Sequence, residues 1–238
     1  MSEESAQFRV NGARLIGDRS GAVYWPAADV LIVADLHLEK GSAYAARGVA
    51  LPPYDTTETL NRLDACLVRF APSVLVLLGD SFHDTDWQQR MAPKDAARLV
   101  ALSRQIKTVW VLGNHDPVLP AGLDGEACET WDVTADGSLH FRHEPVGRSD
   151  AAFVRGEVAG HLHPCARVRQ RGRVMRRRCF VEDTTRLVLP AFGALTGSLN
   201  VLHPAFDTLF DSGHFNAWMI GTNTIAGLSP RQLTPDRS

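Results

Sequence analysis

Lysine is scarce in this chain of 238 residues: only Lys40, Lys94 and Lys107 occur, and arginine supplies the rest of the positive charge. The formal net charge is -2, which excludes a surface that is basic everywhere. Affinity for a polyanion would have to come from a local patch. Cysteine is sparse and scattered. Cys66, Cys128, Cys165 and Cys179 form no C-x-x-C pair and no short disulfide framework, so they read as reduced thiols. No apolar run approaches the roughly 18 to 20 residues needed to span a bilayer, which leaves no expected membrane partner. Residues 1–7 are polar and acidic, without the pattern of a secretory leader. The expected location is the cytoplasm.

What is present is an ordinary globular composition, 45% hydrophobic and 22% charged, in a length that suits one domain with a sizeable core. Residues 8–10, 13–16 and 22–24 predict short strands separated by Asn11-Gly12 and by the turn segment 17–21. Val30-Leu31-Ile32-Val33 is the continuous apolar run expected of a strand buried on both faces. Residues 41–54 carry Gly, Pro and Tyr without a period and predict a loop. Asp55-Thr56-Thr57-Glu58 predicts a capping box. It opens a helix with Leu60, Leu63, Leu67 and Phe70 on one stripe, stopped by Pro72. Residues 74–78 predict a second buried strand, and Pro93 starts a helix that turns Leu99, Leu102 and Ile106 inward. Residues 108–112 predict a third strand. Strand, helix, strand, helix, strand is the order of an α/β unit.

After about residue 125 the helices stop. Residues 139–142, 157–159, 173–182, 186–189 and 217–221 predict short strands of a second, more antiparallel sheet packed on the first. A main domain is expected over residues 1–212, with a C-terminal strand and a frayed tail over 213–238.

Four short segments carry chemistry, and each follows a predicted buried strand: Asp35-Leu36-His37, Gly79-Asp80, Gly113-Asn114-His115-Asp116 and Gly160-His161-Leu162-His163. In open α/β sheets, sites form where the carboxyl ends of strands open onto loops. Asp35 and His37, like His161 and His163, are two apart, so in extended backbone both members of a pair point the same way. Gly79, Gly113 and Gly160 are expected to let the chain turn sharply. Oxygen and imidazole donors in this mix suit manganese, iron, zinc or cobalt better than an all-oxygen magnesium or calcium cage. Each piece alone is weak; all four in this order are strongly specific.

The set resembles the calcineurin-like metallophosphoesterases, whose pattern is D-x-H, G-D, G-N-H-[DE], H and G-H-x-H. The resemblance implies an α/β fold, a four-layer αββα sandwich of two mixed sheets flanked by helices. It also implies a ligand set for two divalent ions: Asp35, His37 and His163 on one, Asn114, His143 and His161 on the other, with Asp80 bridging. His143, which ends a predicted strand, is preferred to His140, whose neighbours suggest a mid-strand place. A hydroxide activated by the metals would attack phosphorus in line. His115 would assist the leaving oxygen, and Asp116 would orient its ring or serve as a turn residue before Pro117. His83 and Asp84 face the substrate or form a solvated loop; His203 and His214 read as surface residues.

Further segments narrow the resemblance: Leu38-Glu39-Lys40-Gly41, Leu51-Pro52-Pro53-Tyr54-Asp55-Thr56, His143-Glu144-Pro145, Arg176-Arg177-Arg178-Cys179-Phe180 and Leu189-Pro190-Ala191-Phe192-Gly193. Over roughly residues 8 to 210 the chain is similar to the ligase-associated DNA damage response endonucleases. This implies a manganese-dependent phosphodiesterase acting on DNA, single strands preferred, with a functional link to a DNA ligase, an exonuclease and a helicase. Arg167, Arg169, Arg171, Arg173, Arg176, Arg177 and Arg178 follow the G-H-L-H motif. They would track a nucleic-acid backbone or form a solvated hairpin. Tyr44, Tyr54, Phe82 and Trp87 would stack on bases or pack in the core. Two other readings stay open: a phosphodiesterase or pyrophosphohydrolase of small nucleotides, and a scaffold of the same fold without catalysis.

Overall fold

The computed structural model describes residues 5–49, 51–52, 54–170, 172–211 and 213–236. Pro53 and Arg171, named above, lie outside the described residues. Strands β1 (Ser5–Val10), β2 (Ala13–Asp18), β3 (Val23–Trp25) and β4 (Val30–Ala34) pair antiparallel in sequence order. From β4 onward the sheet is parallel, through β5 (Val74–Leu78), β6 (Lys107–Val111) and β7 (Glu126–Cys128). Parallel neighbours need crossovers, and these carry α1 (Lys40–Ala46), α2 (Asp55–Phe70), α3 (Trp87–Arg90) and α4 (Pro93–Gln105).

Alternation along each strand divides the core. Leu31, Val33, Leu75 and Leu77 pack under Leu60, Leu63, Leu99 and Leu102 of the helices. Val30, Ile32, Ala34, Val76 and Leu78 face the opposite way, onto Phe141, Val158, Phe180 and Leu187 of the second sheet.

That second sheet contains β8 (Thr130–Thr134), β9 (Ser138–Arg142), β10 (Glu157–Ala159), β11 (Pro164–Gln170), β12 (Arg173–Asp183), β13 (Arg186–Val188), β14 (Leu199–Asn200), β15 (Asn216–Ile220) and β16 (Ile225–Leu228). Its order is β14-β11-β12-β13-β10-β9-β8, with β15 on β12 and β16 on β15. Antiparallel pairs dominate, but β10 runs parallel to both β9 and β13. The two stacked mixed sheets are those expected. On the far side no α-helix occurs among the described residues of the fourth layer: Phe206, Leu209, Phe210 and Leu233, from 3-10 turns and loops, cover Ala166, Val168 and Val181. Arg186 ties this layer down. Its Nε lies 2.8 Å from the buried Glu157 carboxylate, and its other nitrogens donate to Leu209 O and Val146 O.

Three local expectations are corrected. Residues 41–54 are not all loop, since α1 occupies Lys40–Ala46. The capping box does not form. Asp55 accepts the Gly41 N–H at 2.9 Å, and Thr56 exchanges hydrogen bonds with Glu39, both at 2.8 Å. These side chains serve a neighbouring segment instead of their own helix end. The tail does not fray over residues 229–236: Leu233 is buried, and the Thr234 N–H donates to Arg167 O at 2.8 Å. All four cysteines are free. Among the described residues no helix is long and apolar enough to cross a membrane.

Candidate metal centre

The site forms beyond the carboxyl ends of β4, β5, β6 and β10, where the four motifs converge. Their backbone is not extended. Asp35 (φ 54), His37 (φ 43), Asp80 (φ 46), His161 (φ 67) and His163 (φ 46) are all left-handed, a conformation that costs roughly 1–2 kcal/mol for a residue with a Cβ. Such strain persists where surrounding contacts over-determine it. Here Asp35 N–H donates to Gly79 O, His37 N–H to Asp80 O and Leu38 N–H to Ser81 O. The His161 N–H donates to the Asp35 carboxylate at about 3.0 Å. Alternate left-handed residues thus aim Asp35 and His37 into the cleft while Leu36 is buried among the helix-side core.

The glycines act differently from expectation. Of the three motif glycines only Gly79 has a positive φ, 74°, and a Cβ there would meet the His143 ring at 2.1 Å. Gly113 and Gly160 leave room rather than turning: a Cβ would lie 2.3 Å from Asp80 Oδ1 at the first and 2.6 Å from Asp35 Oδ2 at the second.

Two groups of donors result. His163 Nε2 lies 3.2 Å from His37 Nε2 and 3.4 Å from Asp35 Oδ1. His143 Nε2 lies 3.2 Å from His161 Nδ1 and 3.4 Å from Asp80 Oδ1. The second oxygen of Asp80 faces the first group, 3.7 Å from His37 Nε2. Asp35, His37, Asp80 and His143 are buried. His140, by contrast, sits mid-strand in β9 and pairs with Asp132 at 2.8 Å. Asn114 is exposed, between Gly113 and the His115 N–H that donates to Asp80 Oδ1.

These donors suit metal ions. Ligand atoms each about 2.1 Å from one ion stand roughly 3.0–3.4 Å apart, the spacing found here. Two imidazole nitrogens facing each other at 3.2 Å need a proton or a cation between them. Burial pushes His37 down to about 3, so at neutral pH its ring is uncharged and carries a single N–H. The outward nitrogens are also arranged for ligation: His163 Nδ1 pairs with Gly197 O at 3.2 Å and His143 Nδ1 with Leu78 O at 3.3 Å. Such carbonyl partners fix the tautomer that turns Nε2 to a metal. Burial works against the charged ring of His143, yet its hydrogen bond to Asp80 and the charges of Asp35 and Asp80 raise it to about 9. Burial likewise opposes ionisation of Asp80 and is outweighed by His143, so this carboxylate stays below the usual range.

His115 Nδ1 is 2.6 Å from the His83 carbonyl, and its Nε2 is 3.9 Å from Asp80 Oδ2. Asp116 does not orient that ring. Its carboxylate accepts the N–H groups of Asp80, Ser81, Phe82 and Gly113, clamping two metal-site loops together. Burial and then the charge of Asp80 push Asp116 up to about 6, with backbone donors opposing. His83 stacks on His115 at 5.3 Å and lies 5.8 Å from Tyr44. His37, His83 and His115 form a further group of converging nitrogens. Phe82 and Trp87 stack on each other at 3.9 Å within the core, so neither is free to stack on a base. Tyr54 is exposed. Asp84 pairs with Arg90, and His203 and His214 are exposed.

The arginine run splits. In the β11–β12 ladder Arg167 faces Arg176, and Cys165 faces Arg178. Opposed residues share a face, here the one that carries Phe180 into the inter-sheet core. Arg173 and Arg177 point to the other face. Arg178 is not a free phosphate ligand: its guanidinium donates to Ala191 O at 2.7 Å and Ser20 O at 3.3 Å. Arg176 Nη1 donates to Ser198 Oγ at 2.6 Å and Nη2 to Ser198 O at 2.7 Å, next to the Gly197 that supports His163. Asp236 lies 3.3 Å from Arg176 Nε. No local pattern signals that tail contact, because its partner is 60 residues away.

A family profile described as calcineurin-like phosphoesterase matches residues 28–174. Among solved structures, nuclease MPE from Pseudomonas putida is 27% identical with a TM-score of 0.68, over 94% of this chain and 100% of that one. Yfce, a phosphoesterase from E. coli, is 17% identical with a TM-score of 0.44, over 84% of this chain and 98% of that one. No curated protein sequence matches.

Proposed function

The chain belongs to the calcineurin-like phosphoesterases, and from that premise we propose that it is a binuclear metal-dependent phosphodiesterase acting as a DNA endonuclease on single strands. Asp35, His37 and His163 would hold one ion; Asn114, His143 and His161 would hold the other, with Asp80 between them. Manganese suits this mixed donor set, with zinc, iron and cobalt as competitors. When bound, such a pair acidifies a water and neutralises charge on phosphoryl oxygens.

The protein's own groups do the rest. His115 donates its Nδ1–H to the His83 carbonyl, which fixes the ring and turns Nε2 outward. As the imidazolium it would carry a second proton on Nε2 and pass it to the departing oxygen, ending as the neutral Nδ1–H ring. Its side chain is 41% exposed, open enough to meet a substrate. Asp116 holds the loops of Asp80 and Gly113 in register, so that His115 and Asp80 keep their spacing.

The observation that supports DNA over a small nucleotide is the placement of Arg176. It is anchored on Ser198, one residue from the carbonyl that supports His163, and shares its face with Arg167 and Arg169. Guanidinium groups in line with a phosphodiester-cleaving site follow a sugar-phosphate backbone. The likeness to the Pseudomonas putida nuclease points the same way. A role in DNA repair beside a ligase, an exonuclease and a helicase belongs to the same reading. The test is cleavage of single-stranded DNA, duplex DNA, cyclic nucleotides and dinucleotides, with manganese, zinc, iron, cobalt and magnesium in turn. Cleavage of single strands that stops with chelator and returns with manganese is expected. Turnover of the small molecules alone would remove the nuclease assignment.

A further inference from the structure

Two arginines and one segment have no part in the chemistry above. Residues 190–193 leave β13 and run beside the end of β4, with Ala191 bridged to Ala34. There they replace β3, whose pairing with β4 ends at Ile32. The Phe192 N–H donates to Ala34 O at 2.7 Å and the Gly193 N–H to Asp35 O at 3.1 Å. The fit is close: a Cβ on Gly193 would lie 2.2 Å from Leu36 O. Asp35 is thereby gripped from both sides, by Gly79 O on its own N–H and by this strap on its carbonyl.

Among the described residues the strap has no strand on its other side. Ala191 and Phe192 are buried, and buried carbonyls need partners. Arg178 Nη1 donates to Ala191 O at 2.7 Å, and Arg62 Nη2, from α2, donates to Phe192 O. The Arg62 guanidinium also lies 5.1 Å over the Phe192 ring. Burial, then the neighbouring charge of Arg62, lowers Arg178 to about 10. Like charges are brought together here to reach two carbonyls, a costly arrangement for packing alone.

We infer that Arg62 and Arg178 are positioning residues that act through the 190–193 strap to hold Asp35 in its left-handed, metal-facing conformation. They take the place of the missing neighbouring strand. This rests on the reading of Asp35, His37 and His163 as an ion site. It also gives a role to the Leu189-Pro190-Ala191-Phe192-Gly193 segment and to Arg178, which the metal site leaves unused.

The experiment is manganese titration of the metal-free protein, followed by electron paramagnetic resonance, for wild type, Arg62→Met, Arg178→Met and Arg62→Lys. Partners that orient a ligand typically change metal affinity by roughly 10–100-fold. The expected result is a loss of that size at one of two manganese sites in each Met variant, with the other site retained. Arg62→Lys, which keeps a donor for Phe192 O, should recover most of it. If Arg178→Met does not fold, the partly exposed Arg62 position decides alone. Two sites of wild-type affinity in a folded Arg62→Met variant would overturn this inference. So would equal weakening of both sites with no recovery in Arg62→Lys, the mark of general destabilisation. A wild-type chain that takes up no manganese would overturn the ion-site reading itself, and this inference with it.

Discussion

Replacing Gly79 by alanine would put a methyl group where His143 now lies. The added carbon would fall 2.1 Å from Nδ1 and 2.3 Å from Cγ of that ring, where ordinary contact begins at 3.4 Å. The ring would have to retreat by about 1 Å in a densely packed interior. Its Nε2, now 3.4 Å from Asp80 Oδ1, would leave the second donor group. Misplacement on the order of 1 Å lowers rate on the order of a hundredfold. The positive φ adds about 1–2 kcal/mol of strain and the overpacking about 1–3 kcal/mol. Gly122→Ala separates these effects, since Gly122 has φ +93 and nothing within 4 Å of its added Cβ. It should lower the melting temperature slightly and leave turnover alone. The assay is hydrolysis of bis-p-nitrophenyl phosphate with manganese, with metal content after dialysis and thermal melting of both variants. A Gly79→Ala enzyme as active as wild type, with its metal intact, would refute the placement of His143 in the site.

Other consequences can be checked in the same way. His115→Ala should keep its metal but slow cleavage of alkyl esters by roughly 10²–10⁴-fold, and of activated aryl esters far less; equal losses on both would exclude the proton-donor role. Arg176→Ala should weaken binding to single-stranded DNA and reduce the salt slope by about one. Asp236→Ala, which frees Arg176 from its tail partner, should instead strengthen binding; fluorescence anisotropy at several salt concentrations distinguishes the two, and no effect of either would detach this face from DNA. Arg186→Met would strand the buried Glu157 and destabilise the fold by about 3–5 kcal/mol. Burial already raises the Glu157 carboxyl, opposed by Arg186 and Arg142. The deficit should therefore be smallest below the ordinary glutamate range and grow as pH rises through the raised value, which melts across pH would show.

Much of the frame was legible from local pattern. Val30-Leu31-Ile32-Val33 and the Leu60, Leu63 stripe have only one sensible place, between a sheet and its helices. The four motifs could be placed because each interrupts such a strand. What escaped depended on contacts distant in sequence. Asp55 is a good N-cap by composition, but Gly41 takes its carboxylate. Asp116 follows His115 and so suggested a local partner; four backbone N–H groups from two loops claim it instead. Spacing of two implied extended backbone for Asp35 and His37, whereas φ values of 54° and 43° turn both inward. Seven arginines looked like one patch until the register placed Arg178 on Ala191 O and left Arg173 and Arg177 on the opposite face.

Anomalous diffraction at the manganese edge, from crystals grown with that ion, addresses the binuclear centre most directly. Two peaks about 3.5–4 Å apart are expected, with the Asp80 carboxylate between them, His37 and His163 on one side and His143 and His161 on the other. A single peak, none, or density confined to the His37, His83 and His115 group would contradict it.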